Sequence, residues 1–410
     1  MRTYRELFRT PEFTPLFGSV ATQAAAGTLG SLAFGTLIYD RTGSPLLAAL
    51  SMFGPSFAQV LGATLLLSAA DRLRPRAAVA MVGLVFGVGN LLLAIPGMPL
   101  GVMFALLLVM GVTGSVGSGA RLGLLGEILP PGGFILGRSV FNMAVGAMQI
   151  AGFGVGGLLI ALVSPRTALV LGALLCLGTA LIARLGLTDR PPRAAGRPSV
   201  RATWQINRRL WATPARRAVF LSLWVPNGLV VGAEALYVPY APRTAGVLFM
   251  AGALGMLLGD LSAGRLIPAR LRPRSVTPLR FLLAVPYLLF ALPLPVPIAA
   301  VLVAVASAGF GAGLLLQERL IGLTDEAMHG QALGLQSSGT MTMQAVGAAI
   351  AGLIAQHLPT GSAMAVMAVL SLLVSISLTR GLRLSAPPSG ARAEPGPGPE
   401  NEVLERAGRG

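Results

Sequence analysis

The pentapeptide RLRPR stands at residues 72–76 and again at residues 270–274, displaced by 198 positions in a chain of 410. Two further matches follow in the same order. RLGLLGE at 121–127 aligns with RLIGLTD at 319–325 at the same displacement, pairing Arg121 with Arg319 and Glu127 with Asp325. QIAGFGVGGL at 149–158 aligns with QAVGAAIAGL at 344–353, displaced by 195. Each match is short, but three of them in one order at nearly one offset indicate two halves built to a common plan.

Composition says in which solvent those halves fold. Apolar residues make up 54% of the chain and charged residues 11%, whereas soluble domains carry about a quarter charged residues. So much apolar surface needs lipid to cover it. All 31 basic residues are arginine. The absence of lysine excludes a P-loop lysine and a Schiff-base lysine, and with them ATP hydrolysis at a Walker site and pyridoxal chemistry. The single Cys176 lies within an apolar run and reads as a buried, inert thiol. His329 and His357 have no second ligand at metal spacing, so neither a metal nor a cofactor is expected.

Twelve apolar runs are long enough to cross a bilayer, at 14–39, 46–70, 77–95, 100–122, 139–163, 167–187, 217–240, 245–267, 276–292, 296–317, 331–356 and 361–380. They are continuous rather than alternating, which selects helices over strands. Small residues recur four apart at Gly83/Gly87, Gly152/Gly156 and Gly255/Gly259, a spacing that lets helix backbones meet in lipid. The predicted fold is an all-α membrane protein with twelve transmembrane helices in two pseudo-symmetric six-helix bundles. Its divisions are an N-terminal half (1–187), a basic connector (188–216), a C-terminal half (217–384) and a Pro/Gly-rich disordered tail (385–410). In the connector, Trp204, Leu210 and Trp211 alternate with arginines, a pattern suited either to a helix lying in the membrane interface or to a solvated basic linker.

Only Arg41, Arg166 and Arg243 fall in loops on one side of such a bundle; the other 28 arginines lie in the termini, in the alternate loops or at the helix ends beside them. By the positive-inside rule both termini are expected in the cytoplasm and the chain in the cell membrane. The net charge of +16 then belongs to one membrane face, and nucleic acid is not an expected partner. Membrane lipid is, and a monomer is expected.

Parallel six-helix repeats joined by a long connector are the plan of a two-bundle transporter. Here the chain resembles the major facilitator superfamily over almost all of residues 8–385. AADRLRPR at 69–76 is similar to the loop signature between the second and third helices of twelve-span drug:proton antiporters. Asp71, Arg72 and Arg76 fit that signature, while Leu67, Arg74 and Pro75 depart from it. GFGVGG at 152–157 resembles the fifth-helix antiporter motif, with Phe153 in place of proline. The resemblance implies alternating access, a cytoplasmic gate built from these loops, and export of a drug or secondary metabolite against protons. The expected gate residues are Asp71, Arg72, Arg76, Arg121 and Glu127 in the first half, with Asp260, Arg270, Arg319 and Asp325 in the second.

An ionisable side chain inside a span costs about 2.5–3.5 kcal/mol at the bilayer centre and is a functional suspect by default. Glu234, past the middle of the seventh span, is the proton-coupling candidate. Trp224, Asn227 and Tyr237 share its helical stripe, and the resemblance makes that stripe a wall of the substrate cavity. On the first helix only Gln23 and Ser31 are polar candidates for the opposite wall. A cavity with so few charges predicts a small-molecule substrate that is largely apolar or cationic. HExxH, Gly-x-Ser-x-Gly and paired intramembrane aspartates are all missing from the sequence, so an enzyme is not expected; an uncoupled facilitator or an importer of the same fold remains the alternative.

Overall fold

The computed structural model describes residues 4–65, 73–130, 133–192, 200–268 and 270–384. Asp71, Arg72 and the tail from 385 onward lie outside the described residues. The chain forms twelve spans. The first half holds α1 (Phe13–Thr42), α2 (Pro45–Leu65), α3 (Pro75–Leu93), α4 (Leu100–Ile128), α5 (Phe134–Leu162) and α6 (Pro165–Gly186). The second holds α7 (Pro214–Tyr240), α8 (Ala245–Leu266), α9 (Arg272–Ala291) and α10 (Val296–Gly322), then α11 (His329–Ile354) and α12 (Thr360–Leu384). Starts and stops follow local chemistry. Pro75, Pro165 and Pro214 each open a helix, where a missing N–H costs nothing. Ser164 caps α6 by accepting from the Thr167 N–H, and Gly43, at φ 62°, ends α1 in the left-handed region.

The repeat maps onto matching elements. The two RLRPR copies lead into α3 and α9, Arg121 and Arg319 lie on α4 and α10, and the two glycine-bearing stretches lie on α5 and α11. Ten spans are long and predominantly apolar. The other two, α1 and α11, are richer in Gly, Ser, Thr and Gln. Much of α1 is buried within the first bundle, and α11 packs on both α7 and α2, so neither needs a fully apolar surface. Outward-facing leucines such as Leu158, Leu162, Leu185, Leu258 and Leu373 form the exposed apolar belt. The glycine spacings place backbones in contact: Gly83 meets α6 at Cys176 and Ala180, and Gly255 and Gly259 meet Ala304 and Ala308 of α10.

The bundle has a connector face, carrying the start of α1 and the end of α12, and a far face, carrying the α1–α2 loop. At the far face the halves share one apolar cluster, in which Leu32 and Met52 pack with Leu236, Tyr237 and Phe249. Gly157 of α5 abuts Gly246 of α8, Phe153 stacks on Phe249 at 4.8 Å, and the Gln356 amide donates to Ser44 Oγ at 3.4 Å. Near the connector face the apolar clusters are separate, one from each half. Among the described residues the far face is therefore closed and the space between the halves opens toward the connector.

The connector helix, Val200–Ala212, docks on protein along part of its length. Leu210 is fully buried, Trp211 stacks on Trp224 at 5.4 Å, and Gln331 donates to Asn207 Oδ1 at 2.7 Å. Trp204 is exposed. Trp211 thus serves the second bundle rather than a shared lipid-facing stripe with Trp204.

A polar latch closes the connector face of the first half. Glu12 sits at φ 64°, an unusual conformation for a side chain with a Cβ. It accepts from Arg190 Nη1 and Nη2 at 2.8 and 3.0 Å and from the Thr188 N–H and hydroxyl at 3.0 Å each. Arg190 also reaches Glu127 at 3.7 Å. Partial burial pushes the Glu12 carboxyl up, but the hydrogen bonds from Arg190 and Thr188 outweigh it and hold the group below its ordinary value. A depressed carboxyl stabilises the fold above its unfolded-state pKa, and that stabilisation is lost as pH falls through the folded-state value. Glu12→Gln is expected to cost about 1–3 kcal/mol at neutral pH, on the scale of hydrogen bonds to charged groups. In thermal melts the gap between wild type and variant should close on acidification below the ordinary carboxylate range.

Candidate functional site

Between the halves lies a cavity of about 420 Å³, within the range of small-ligand sites. The first half contributes Phe53 from α2 with Gln149 and Phe153 from α5. The second contributes Asn227, Glu234 and Tyr237 from α7, Asp260 from α8, Arg280 from α9, Gln317 from α10, and Gln336, Thr340 and Gln344 from α11. Every ionisable residue in this lining comes from the second half.

Glu234 ends the regular helix of α7. The chain turns at Ala235 and Leu236 before the short helix Tyr237–Tyr240, so the carboxyl stands at a helix break on the cavity wall. The Tyr287 hydroxyl lies 3.5 Å from Glu234 Oε1 and also bonds the Tyr237 hydroxyl. This places a carboxyl next to two linked phenols, all three drawn from α7 and α9. Asn227 faces the same cavity and accepts from the Gln344 amide at 3.1 Å. Asp260, half-buried, lines the cavity near the connector end of α8 and has no ion pair among the described residues.

Three expected cavity residues lie elsewhere. Trp224 packs in an aromatic cluster with Trp211 and Phe220, and its indole N–H donates to the Gln336 carbonyl at 3.0 Å. Gln23 points into the first bundle, where its amide reaches Cys176 Sγ at 3.9 Å. Ser31 turns its hydroxyl back to the Thr28 carbonyl of its own helix at 3.0 Å. Ser31 is satisfied on its own helix, as lipid favours, whereas Gln23 keeps its Oε1 buried without a partner.

Asp71 and Arg72 lie outside the described residues, and the other expected gate residues are placed as follows. Arg76 reaches the Leu187 carbonyl at 3.4 Å and Arg319 the Leu382 carbonyl at 3.0 Å, each within its own half. Glu127 faces Arg190. Arg121 turns into the first bundle with Nε and Nη2 buried and without hydrogen-bond partners, and Arg270 and Asp325 are exposed. Arg190, from the connector, is a partner of Glu127 that the sequence reading did not name.

One site residue was missed. The sequence reading grouped Arg280 with the arginines at helix ends, yet it is 2% exposed and lines the cavity. Its position inside the ninth apolar run was the signal that could have found it, by the same rule that singled out Glu234. Asp260 and Arg280 together correct the expectation of a cavity poor in charge.

Two packed helical bundles with a cavity at their interface are an architecture found among membrane transporters. The family profile of the Major Facilitator Superfamily matches residues 16–317, and the chain belongs to that superfamily. Its fold is similar to a bacterial homolog of the human lysosomal transporter Spinster in an inward-facing, occupied conformation, with TM-score 0.68, 14% identity, and coverage of 93% of this chain and 98% of that one. It is also similar to the peptide transporter POT in complex with sulfate, with TM-score 0.70, 13% identity, and coverage of 94% and 99%. A search of curated protein sequences gives no match.

Proposed function

We propose that this protein is a proton-driven exporter of a small organic molecule, a drug or secondary metabolite, with Glu234 as the proton-exchanging carboxyl. The observation that carries the reading is the placement of that carboxyl on the wall of the cavity between the halves, beside Tyr287 and Tyr237. A group there meets both substrate and water when one side opens, and can therefore exchange a proton in one state and release it in the other. The arginine distribution supports placing the connector face in the cytoplasm of a cell whose membrane holds both termini inside; the open-connector state is then inward-facing. Asp71 and Arg72, with Arg76 and their second-half counterparts, would gather when that face closes.

Export is supported by the resemblance of residues 152–157 to the antiporter motif. Gly152 packs on Thr28 and Ala25 of α1 while Gly157 meets Gly246 across the interface, so this run holds α5 between its own bundle and the other. The two-acid, one-arginine lining favours a molecule of mixed polarity over a purely apolar one. Flux in proteoliposomes with and without an imposed pH gradient tests the proposal. Gradient-dependent accumulation is expected, and flux that only equilibrates the two sides would favour an uncoupled facilitator.

A further inference from the structure

We propose that Arg280 anchors a carboxylate group on the transported molecule, making the substrate an amphipathic organic acid or zwitterion rather than a simple cation. The inference rests on the reading of the interbundle cavity as the substrate site, and adds to it the head group.

Arg280 is the largest of the fully buried side chains. Its Nε, Nη1 and Nη2 are all buried without a hydrogen-bond partner, and it forms no ion pair among the described residues. A guanidinium cannot shed its proton to escape this situation, and an uncompensated buried charge costs several kcal/mol. Such a group persists where something that visits the site repays the cost. The side chain is also held in place. Gly309 of α10 approaches so closely that a Cβ built on it would stand 2.5 Å from both the Leu279 carbonyl and the Leu283 nitrogen, the backbone flanking Arg280 on α9. That close contact fixes the backbone from which the guanidinium projects.

The planar fork of an arginine matches the two oxygens of a carboxylate, giving paired charge-assisted hydrogen bonds that an ammonium or a hydroxyl cannot form. Gln317 and Gln336 line the same space and can supply further amide donors. The two acids of the cavity, Glu234 and Asp260, pair with neither Arg280 nor each other, so they remain available to a cationic portion of the same molecule. Phe53 and Phe153 on the opposite wall suit an apolar body between the charged ends.

The test uses the purified full-length protein in lipid nanodiscs and three probes with one hydrocarbon body: 4-phenylbutyrate, 4-phenylbutylamine and 4-phenylbutan-1-ol. Binding is read by calorimetric titration at neutral pH. Wild type is expected to bind the carboxylate at least ~10-fold more tightly than the amine or the alcohol. Arg280→Gln should erase that preference, and Arg280→Lys, which keeps the charge but loses the fork, should retain part of it. Equal or tighter binding of the amine or alcohol, no measurable binding of the carboxylate, or a preference that survives Arg280→Gln would overturn the proposal. The wild-type ranking decides the matter even if a variant fails to fold. Because binding needs no gradient, a carboxylate preference without pH-driven flux would leave the anchor standing and sink only the antiport reading.

Discussion

Glu234→Gln is expected to lower pH-gradient-driven accumulation in proteoliposomes by about tenfold or more, the scale on which loss of a proton-transferring group is felt, while leaving substrate binding largely intact. Glutamine has the same length and keeps an oxygen that can accept from the Tyr287 hydroxyl, which stands 3.5 Å from Glu234 Oε1. What it removes is the exchangeable proton. Transport should also lose its dependence on pH in this variant. Asp260→Asn alters the same cavity without touching the tyrosine pair and should keep the gradient response. Undiminished accumulation by Glu234→Gln would show that the carboxyl is a structural hydrogen-bonding group and would leave the uncoupled facilitator in front.

Joining Ser44→Cys to Gln356→Cys with a short bifunctional thiol reagent should reduce turnover to background. The native pair meets across the far face, with the amide 3.4 Å from the hydroxyl, and the link would hold α2 to the end of α11 in the closed-far-face state. Binding from the connector face should persist, since the cavity already opens there, and cleaving the link should restore transport. The sole native thiol, Cys176, is buried, so labelling at the introduced pair needs little background correction. A cross-linked protein that still turned over at the wild-type rate would mean that the far face does not open during transport.

Much of this architecture was legible in the residues. Span length and continuity locate all twelve helices, and the RLRPR repeat ties α3 to α9 from sequence alone. What the pattern could not supply was azimuth. A span that is apolar nearly all round gives no sign of which face looks into a cavity, and Gln23 and Ser31, expected on the cavity wall, turn into the first bundle instead. Of the α7 stripe, Asn227, Glu234 and Tyr237 line the cavity, whereas Trp224 does not. There the nearby connector helix offered an aromatic partner, Trp211, that helical spacing alone does not announce. Arg280 failed for a different reason: the positive-inside rule explains so many arginines in this chain that it absorbed one it does not explain.

The seam that closes the far face consists of Gly157 against Gly246, Phe153 against Phe249, and the neutral Gln356–Ser44 bond. None of these groups carries charge, so these three contacts offer dissolved ions nothing to screen. The connector face, with its concentration of arginines, does. Ionic strength should consequently act on this protein mainly through the arginine-bearing connector face, where charge is concentrated, and leave these neutral far-face contacts unchanged.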